Sequence, residues 1–188
     1  TVSWYVGRVD APGRSSLAVL AVLAALGIGA CGDDEGSSQR EVVNIDLVSA
    51  TFPENQRLAH EATLEIVVRN PGNDAVDQFT VAIAPDGEGV TGTGFGSQTG
   101  GPGASDPNRP IWIVDEIPRN SVTADSGVFR FGPLAAGRSL KLRWRVQPVR
   151  RGDHQLRWQL GGRVDGSTRV VDGAGEDVGG TFDVTIDE

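Results

Sequence analysis

The chain has 188 residues, enough for one domain and a short appendage, and 38% of them are hydrophobic. Its 26 glycines and 10 prolines favour many short strands joined by turns over long helices. The formal net charge of -8 argues against a general nucleic-acid binder, because the phosphate backbone would repel it, and the single cysteine excludes an intramolecular disulfide.

The N-terminal region has the pattern of a secretion signal. Residues 17–30 form an apolar run that is too short to cross about 30 Å of hydrocarbon, and two arginines precede it. The run ends in Ile28-Gly29-Ala30-Cys31, which resembles the lipobox of bacterial lipoproteins. The resemblance implies that the thiol of Cys31 accepts a diacylglyceryl group and that cleavage makes Cys31 the new N-terminus. An ordinary secretion signal with a chance cysteine, or an uncleaved anchor, is the alternative.

These features divide the chain into three parts. Residues 1–30 are the predicted signal peptide, residues 31–41 are a flexible polar tether, and residues 42–188 are one domain with a Gly-rich loop at 86–108. We therefore expect a protein on the extracytoplasmic face of the cell membrane, held there by the lipid on Cys31.

Beyond the tether, apolar and polar residues alternate with a period of two. The pattern predicts seven or eight strands, each with one apolar face, and no segment after Cys31 keeps a helical period. Such strands must bury their apolar faces against a second sheet, so we expect an all-β, antiparallel sandwich. Trp144 and Trp158 are expected near its centre.

Two stretches resemble bacterial immunoglobulin-like adhesion-type modules of the CARDB-like group. They are ATLEIVVRNPGNDAVDQFTVAI, at residues 62–83, and FGPLAAGRSLKLRWRVQPVRRGDHQLRWQL, at residues 131–160. The resemblance implies an immunoglobulin-like β-sandwich of about seven strands that acts as a surface spacer, adhesion unit or carrier. It implies no catalytic residues, because such modules have none to transfer.

Three bases share one face of a predicted strand: Lys141, Arg143 and Arg145. An immunoglobulin-like order places this strand beside residues 62–69, and places the strand that contains Arg157 beside the final strand. One interpretation is a solvated face that acids on the neighbouring strands neutralise. The other is a candidate anion-binding face for envelope polymers or lipid headgroups.

The sequence contains no convincing catalytic set. His60 and His154 are the only histidines, and both are expected to be exposed beside a turn. The loop at 86–108 lacks the ending of a phosphate-binding loop, which leaves a mobile surface loop or a binding loop. Residues 172–177 lack the alternating carboxylates of a calcium loop. We expect no enzyme activity, no cofactor and no metal.

The first functional hypothesis is a non-enzymatic, lipid-anchored envelope protein. Its domain would bind or support an unidentified protein or envelope polymer, with the membrane as a partner through Cys31 and no nucleic-acid partner. The alternative is an accessory subunit of a membrane transporter or secreted enzyme. A hydrolase with an unusual site in the Gly-rich loop is a third hypothesis.

Overall fold

The computed structural model describes residues 40–86, 94–96, 110–125 and 127–188. The regular elements in these ranges are β-strands, and the ranges contain no helix that could span a membrane. The strands are β1 (Glu41–Asn44), β2 (Asp46–Thr51), β3 (Asn55–Arg57), β4 (Ala62–Arg69), β5 (Phe79–Asp86), β6 (Phe95–Gly96), β7 (Trp112–Glu116), β8 (Ser121–Asp125), β9 (Val128–Phe131), β10 (Ser139–Pro148), β11 (Gly152–Gly161), β12 (Thr168–Val171) and β13 (Gly179–Asp187).

Two sheets form a sandwich. The first has the strand order β2-β4-β10-β7-β6 and the second has the order β3-β13-β11-β5-β9-β8, while β1 and β12 form a separate parallel pair. The central neighbours in both sheets are antiparallel. The order β2-β4-β10-β7 corresponds to strands A-B-E-D of the immunoglobulin fold, and β13-β11-β5 corresponds to G-F-C. The predicted all-β, immunoglobulin-like sandwich is confirmed.

Alternate side chains of the long strands fill the space between the sheets. Trp144 of β10 is completely buried, and its ring packs edge-on against Phe129 and Phe131 of β9. The ring centroids are 5.4 and 6.2 Å apart, and β9 belongs to the opposite sheet. Trp158 of β11 is also buried. Both tryptophans therefore lie in the core, as predicted, and the Trp144 contacts join the two sheets through their apolar faces.

A second aromatic cluster surrounds Trp112 of β7. Phe52 and Phe95 pack edge-on against the Trp112 ring, with centroids 5.5 and 6.2 Å away. The indole N–H of Trp112 donates a hydrogen bond of 2.7 Å to Oε1 of Gln56, a buried residue of β3. This bond satisfies two buried polar groups and joins the first sheet to the edge of the second.

The structure has more strands than the seven or eight predicted, and four of the additional ones are short: β3, β6, β8 and β12. They have between two and five residues, and β3 (Asn55–Arg57) has no apolar residue at all. The apolar pattern from Val43 to Leu47 is also divided between two strands. The chain leaves its pairing with β12 at Ile45 and pairs with β4 from Asp46 onward.

The Gly-rich loop at 86–108 is partly packed, which the sequence did not predict. Asp86 belongs to β5, and β6 pairs in parallel with β7. The backbone N–H of Trp112 donates to the Gly94 carbonyl at 3.0 Å, and Phe95 is only 2% exposed. A mobile surface loop, one of the two expectations, is therefore wrong at residues 94–96, because one aromatic side chain buries enough apolar area to fix a short strand. Residues 87–93 and 97–108 lie outside the described part of the chain.

We expect Phe95→Ala to destabilise the protein by about 3 kcal/mol, because it leaves a cavity beside Trp112. Chemical denaturation of the full-length protein in detergent measures the change in the free energy of unfolding. Val122→Ala is the control, since Val122 of β8 is 54% exposed, and should change that free energy by about 0.5 kcal/mol or less. Equal effects of the two substitutions would show that β6 does not pack on the core.

Candidate functional site

The predicted lipidation motif precedes the part of the chain that the structure describes. Ile28, Gly29, Ala30 and Cys31 all lie outside the described residues, which begin at residue 40. Glu41, the last residue of the predicted tether, is the first residue of β1, so the regular structure begins one residue earlier than predicted. The motif therefore remains a prediction from the sequence.

The three candidate anion-binding residues lie on β10 and face away from the core. Lys141, Arg143 and Arg145 are exposed, whereas the residues between them are buried. The strand pairs antiparallel with β4, and Arg143 is directly opposite Glu65. The predicted neighbour of the basic strand is therefore confirmed.

Glu65 of β4 accepts hydrogen bonds from two of these bases. Its Oε1 lies 2.9 Å from Nζ of Lys141, and its Oε2 lies 2.8 Å from a terminal nitrogen of Arg143. The hydrogen bond from Arg143, followed by that from Lys141, holds the pKa of the Glu65 carboxyl below its ordinary value of 4.5. Two positive charges thus share one carboxylate.

Arg145 bridges two carboxylates on either side of β10. Its guanidinium lies 2.7 Å from Oε2 of Glu61, just before β4, and 3.1 Å from Oε2 of Glu116 in β7. The outer face of β10 is therefore tied to both of its neighbours. These contacts match the interpretation in which acids on adjacent strands neutralise the basic face.

A shallow depression opens between β10 and the turn that follows β7. We call it the basic depression, because its lining contains four bases and one carboxylate. The lining residues are Glu116, Ile117, Pro118, Arg119, Lys141, Arg143 and Arg145. The sequence pattern had identified only the three bases on β10.

Arg119 reaches the basic depression from a tight turn. The N–H and hydroxyl groups of Ser121 both donate to the carbonyl of Pro118, at 3.2 and 2.6 Å. Asn120 has φ of 63°, in the left-handed region that asparagine tolerates better than most residues. A Pro-Arg-Asn-Ser segment indicates a turn in the sequence, but only the fold brings that turn beside β10.

The strand that contains Arg157 lies beside the final strand, as predicted. The register of β11 with β13 puts Arg157 opposite Thr181 and Gln155 opposite Asp183. The Gln155 amide donates a hydrogen bond of 2.7 Å to Oδ1 of Asp183. Arg157 therefore faces a hydroxyl residue across the ladder, and the Asp183 carboxylate is matched by an amide.

The two histidines occupy different environments. His60 is exposed in the turn after β3, as expected, but His154 of β11 is partly buried. Its ring packs edge-on against Trp112 with centroids 6.0 Å apart, and its Nε2 lies 3.2 Å from the Arg150 carbonyl. Burial lowers the pKa of His154 below its ordinary value of 6.5. Within the described ranges, no group of three His, Cys, Asp or Glu side chains could hold a metal ion.

The acidic segment at 172–177 forms an ordinary turn. Oδ1 of Asp172 accepts hydrogen bonds from the backbone N–H groups of Ala174 and Glu176, at 2.8 and 3.0 Å. Asp177 is 2.8 Å from a terminal nitrogen of Arg169. Two of the segment's carboxylates are therefore engaged in turn formation and an ion pair.

Acidification should destabilise the protein through His154. Because its pKa in the folded chain is lowered, the unfolded chain takes up the proton first as the pH falls through 6.5. The free energy of unfolding then decreases until the pH falls below the pKa of His154 in the folded chain. We expect His154→Gln to lose less unfolding free energy than the wild type between about pH 7 and about pH 5, measured by urea denaturation. An unchanged slope in His154→Gln would contradict this assignment.

No protein-family model matches the chain, and no curated protein matches it. The solved structures that it resembles include the CARDB domain of the PF1109 protein from Pyrococcus furiosus, which was solved in complex with di-metal ions. The two chains are 14% identical over 78% of this chain and 91% of that one, with a TM-score of 0.43. Native alpha-2-macroglobulin from Escherichia coli is 13% identical over 78% of this chain and 17% of that one, with a TM-score of 0.45. A cohesin module from a Clostridium perfringens family 33 glycoside hydrolase is 14% identical over 79% of this chain and 99% of that one, with a TM-score of 0.40. At these identities and TM-scores, the similarity assigns no family and transfers no ligand.

Proposed function

We propose that this chain is a lipid-anchored envelope protein whose immunoglobulin-like domain is a non-enzymatic binding or structural module of the CARDB-like type. The observation that carries the proposal is the motif Ile28-Gly29-Ala30-Cys31 at the end of an apolar run. Small residues before the cysteine let an extended backbone enter a peptidase cleft. The cysteine supplies the thiol that accepts the lipid, and no other cysteine is present in the chain.

The tether limits how far the domain can move from the membrane. Nine residues lie between Cys31 and Glu41, where β1 begins, so the chain takes ten residue-to-residue steps, each at most about 3.5 Å when fully extended. The start of the sandwich would therefore stay within roughly 35 Å of the lipid. Two acyl chains, at about 0.8 kcal/mol per buried CH₂ group, would keep the protein on the membrane.

The chemistry of the sandwich supports a binding or structural role. Ion pairs such as Arg143 with Glu65 and Arg145 with Glu61 lie on its outer faces. His154 packs against Trp112 and a backbone carbonyl, and no described nucleophile is hydrogen-bonded to it. A rigid β-sandwich that presents loops and strand faces is a common platform for such roles.

The anchor is tested by Cys31→Ser in a bacterial host. We expect the wild type in the membrane fraction with incorporated labelled fatty acid. The variant has no thiol for the lipid, so it should remain unlabelled and either keep its leader or leave the membrane. Fractionation, mass spectrometry and labelling measure these outcomes.

Ser37→Ala is the matched control, because it also changes one small polar residue but lies in the predicted tether. It should be labelled, cleaved and retained like the wild type. If Cys31→Ser is also cleaved and partitions like the wild type, the chain is not a lipoprotein.

A further inference from the structure

The predicted tether joins the sandwich at one end, formed by the loop at 162–167 and the strand ends beside it, which we call the tether end. Glu41, the first residue of β1, donates its backbone N–H to the Ser167 carbonyl at 2.9 Å, so β1 begins beside this loop. Arg163 of the same loop lines a depression together with Val122 of β8. The loop at 162–167 therefore extends from β1 to β8 across this end of the sandwich.

Most of the exposed large hydrophobic side chains in the described ranges lie on elements that start or turn at the tether end. Six such side chains are exposed in these ranges, and five of them are Val42, Leu47, Val48, Val122 and Val164. Val164 is in the loop at 162–167, Val42 follows Glu41 on β1, and Val122 lies beside Arg163; each is 54% exposed or more. Leu47 and Val48 lie farther along the chain, at the start of β2.

A hydrogen-bonded turn presents Val164 to water. The N–H of Gly166 donates to the Arg163 carbonyl at 3.0 Å, which closes a four-residue turn with Val164 in its second position. Oδ1 of Asp165 accepts hydrogen bonds from the backbone N–H and the hydroxyl of Ser167, at 2.9 and 2.6 Å. Polar residues, glycine and proline dominate such turns. The turn therefore holds an aliphatic side chain, 58% exposed, at a position where a polar one is usual.

The loops at the tether end carry no net charge, although the whole chain has a formal charge of -8. Four loops meet there, because the depression beside Val122 takes one lining residue from each of them: Asp77, Asn120, Gly132 and Arg163. These loops, at 70–78, 117–120, 132–138 and 162–167, together contain three arginines and three aspartates. The surface of a cell membrane is negative, so this end can approach it without the repulsion that the protein's net charge would cause elsewhere.

We propose that the tether end rests on the lipid bilayer and that Val42, Val122 and Val164 contact its headgroup region. The inference rests on the proposed function, because the lipid on Cys31 is what brings this end to the membrane. A flexible chain of the ten steps from Cys31 to Glu41 has a root-mean-square span of roughly 17 Å. Such a short connection gives a millimolar effective concentration, so contacts too weak to recruit a free protein can still orient a tethered one.

A basic side chain beside these valines suits a surface of phosphates over hydrocarbon. Arg130 of β9 is exposed, lies directly opposite Val122 and lines the same depression. It has no ion pair with any residue in the described ranges. An arginine can lay its aliphatic stem along apolar surface while its guanidinium reaches a phosphate. The bilayer also stays within reach of this end at all times, which makes it the occupant that the tether favours.

The test measures how deeply single spin labels enter the bilayer. The full-length chain is produced in a bacterial host, purified with its lipid and placed one copy per phosphatidylcholine nanodisc. Lipidation consumes the thiol of Cys31, so an introduced cysteine is the sole labelling site. Oxygen is concentrated in lipid and a nickel chelate in water, and the ratio of the label's accessibility to the two cancels crowding by the protein. We expect this ratio to be at least about threefold higher for Val164→Cys than for His60→Cys, as for a label immersed about two thirds of the time.

His60 is the reference position because it is exposed at the opposite end of the sandwich. Its neighbour Ala59 donates a backbone hydrogen bond to the carbonyl of Pro148, the last residue of β10. The loop at 132–138, by contrast, precedes the first residue of that strand. A label on His60→Cys should therefore stay in water when the tether end faces the bilayer.

A carboxylate at the tether end should lift the domain from the lipid. Val122→Asp is expected to lower the ratio of Val164→Cys toward that of His60→Cys, because a charged group resists entry into lipid. Ala59→Asp is the matched control and should leave the ratio unchanged. It also puts a carboxylate at an exposed apolar position, and its φ of 59° is one that aspartate tolerates. The Val164→Cys result decides the proposal by itself if Val122→Asp does not fold.

Equal ratios for Val164→Cys and His60→Cys would overturn the proposal, as would an equal loss in Ala59→Asp. Nanodiscs with two copies test a second molecule as the occupant. Dipolar broadening there, with a low ratio in single-copy discs, would assign the tether end to self-association and reject the bilayer. Mass spectrometry of Cys31 separates this inference from the proposed function. Protein without the lipid would overturn both, whereas lipidated protein with a low ratio would overturn only the membrane contact.

Discussion

The burial of Trp144 between the two sheets is the constraint on which the outer face of the sandwich depends. Its ring contacts Phe129 and Phe131 of the opposite sheet, which fixes the side of β10 that faces inward. Because side chains alternate along a strand, a slip of one residue would turn every base on β10 into the core. The apolar core therefore sets the register that places Arg143 opposite Glu65. The ion pairs follow from this packing and add little to it.

The long strands could be predicted because each must bury one face, and burial leaves a period of two in the sequence. The short strands could not. β3 is held by backbone pairing with β13 and by the Gln56–Trp112 hydrogen bond, neither of which requires apolar alternation. The burial of Phe95 could not be predicted locally, because glycines surround it in the sequence. Its burial depends on contact with Trp112, which is distant in sequence. The neighbours of β10 and β11 followed from the immunoglobulin-like resemblance.

The candidate site was only partly predictable for a similar reason. Alternation alone places Lys141, Arg143 and Arg145 on one face, but their partners depend on tertiary structure. The register between β10 and β7 shifts between Arg145 and Val146, and this irregularity brings Glu116 opposite Arg145. The lipidation motif is different, because a peptidase recognises it as an extended segment. Its prediction therefore depends on local sequence alone.

The parallel pairing of β1 with β12 has a mechanical consequence. Residues 41–44 lie alongside residues 168–171, and backbone hydrogen bonds from Glu41 to Ser167 and from Ile45 to Val171, each 2.9 Å long, extend this ladder at both ends. A force applied at residue 41 along the strand axis would load these bonds in shear, so that they share the load. A force across the strand would instead open them one after another. The domain would thus resist a force along β1 better than a force across it. The direction of the force would therefore determine how long the domain stays folded under load.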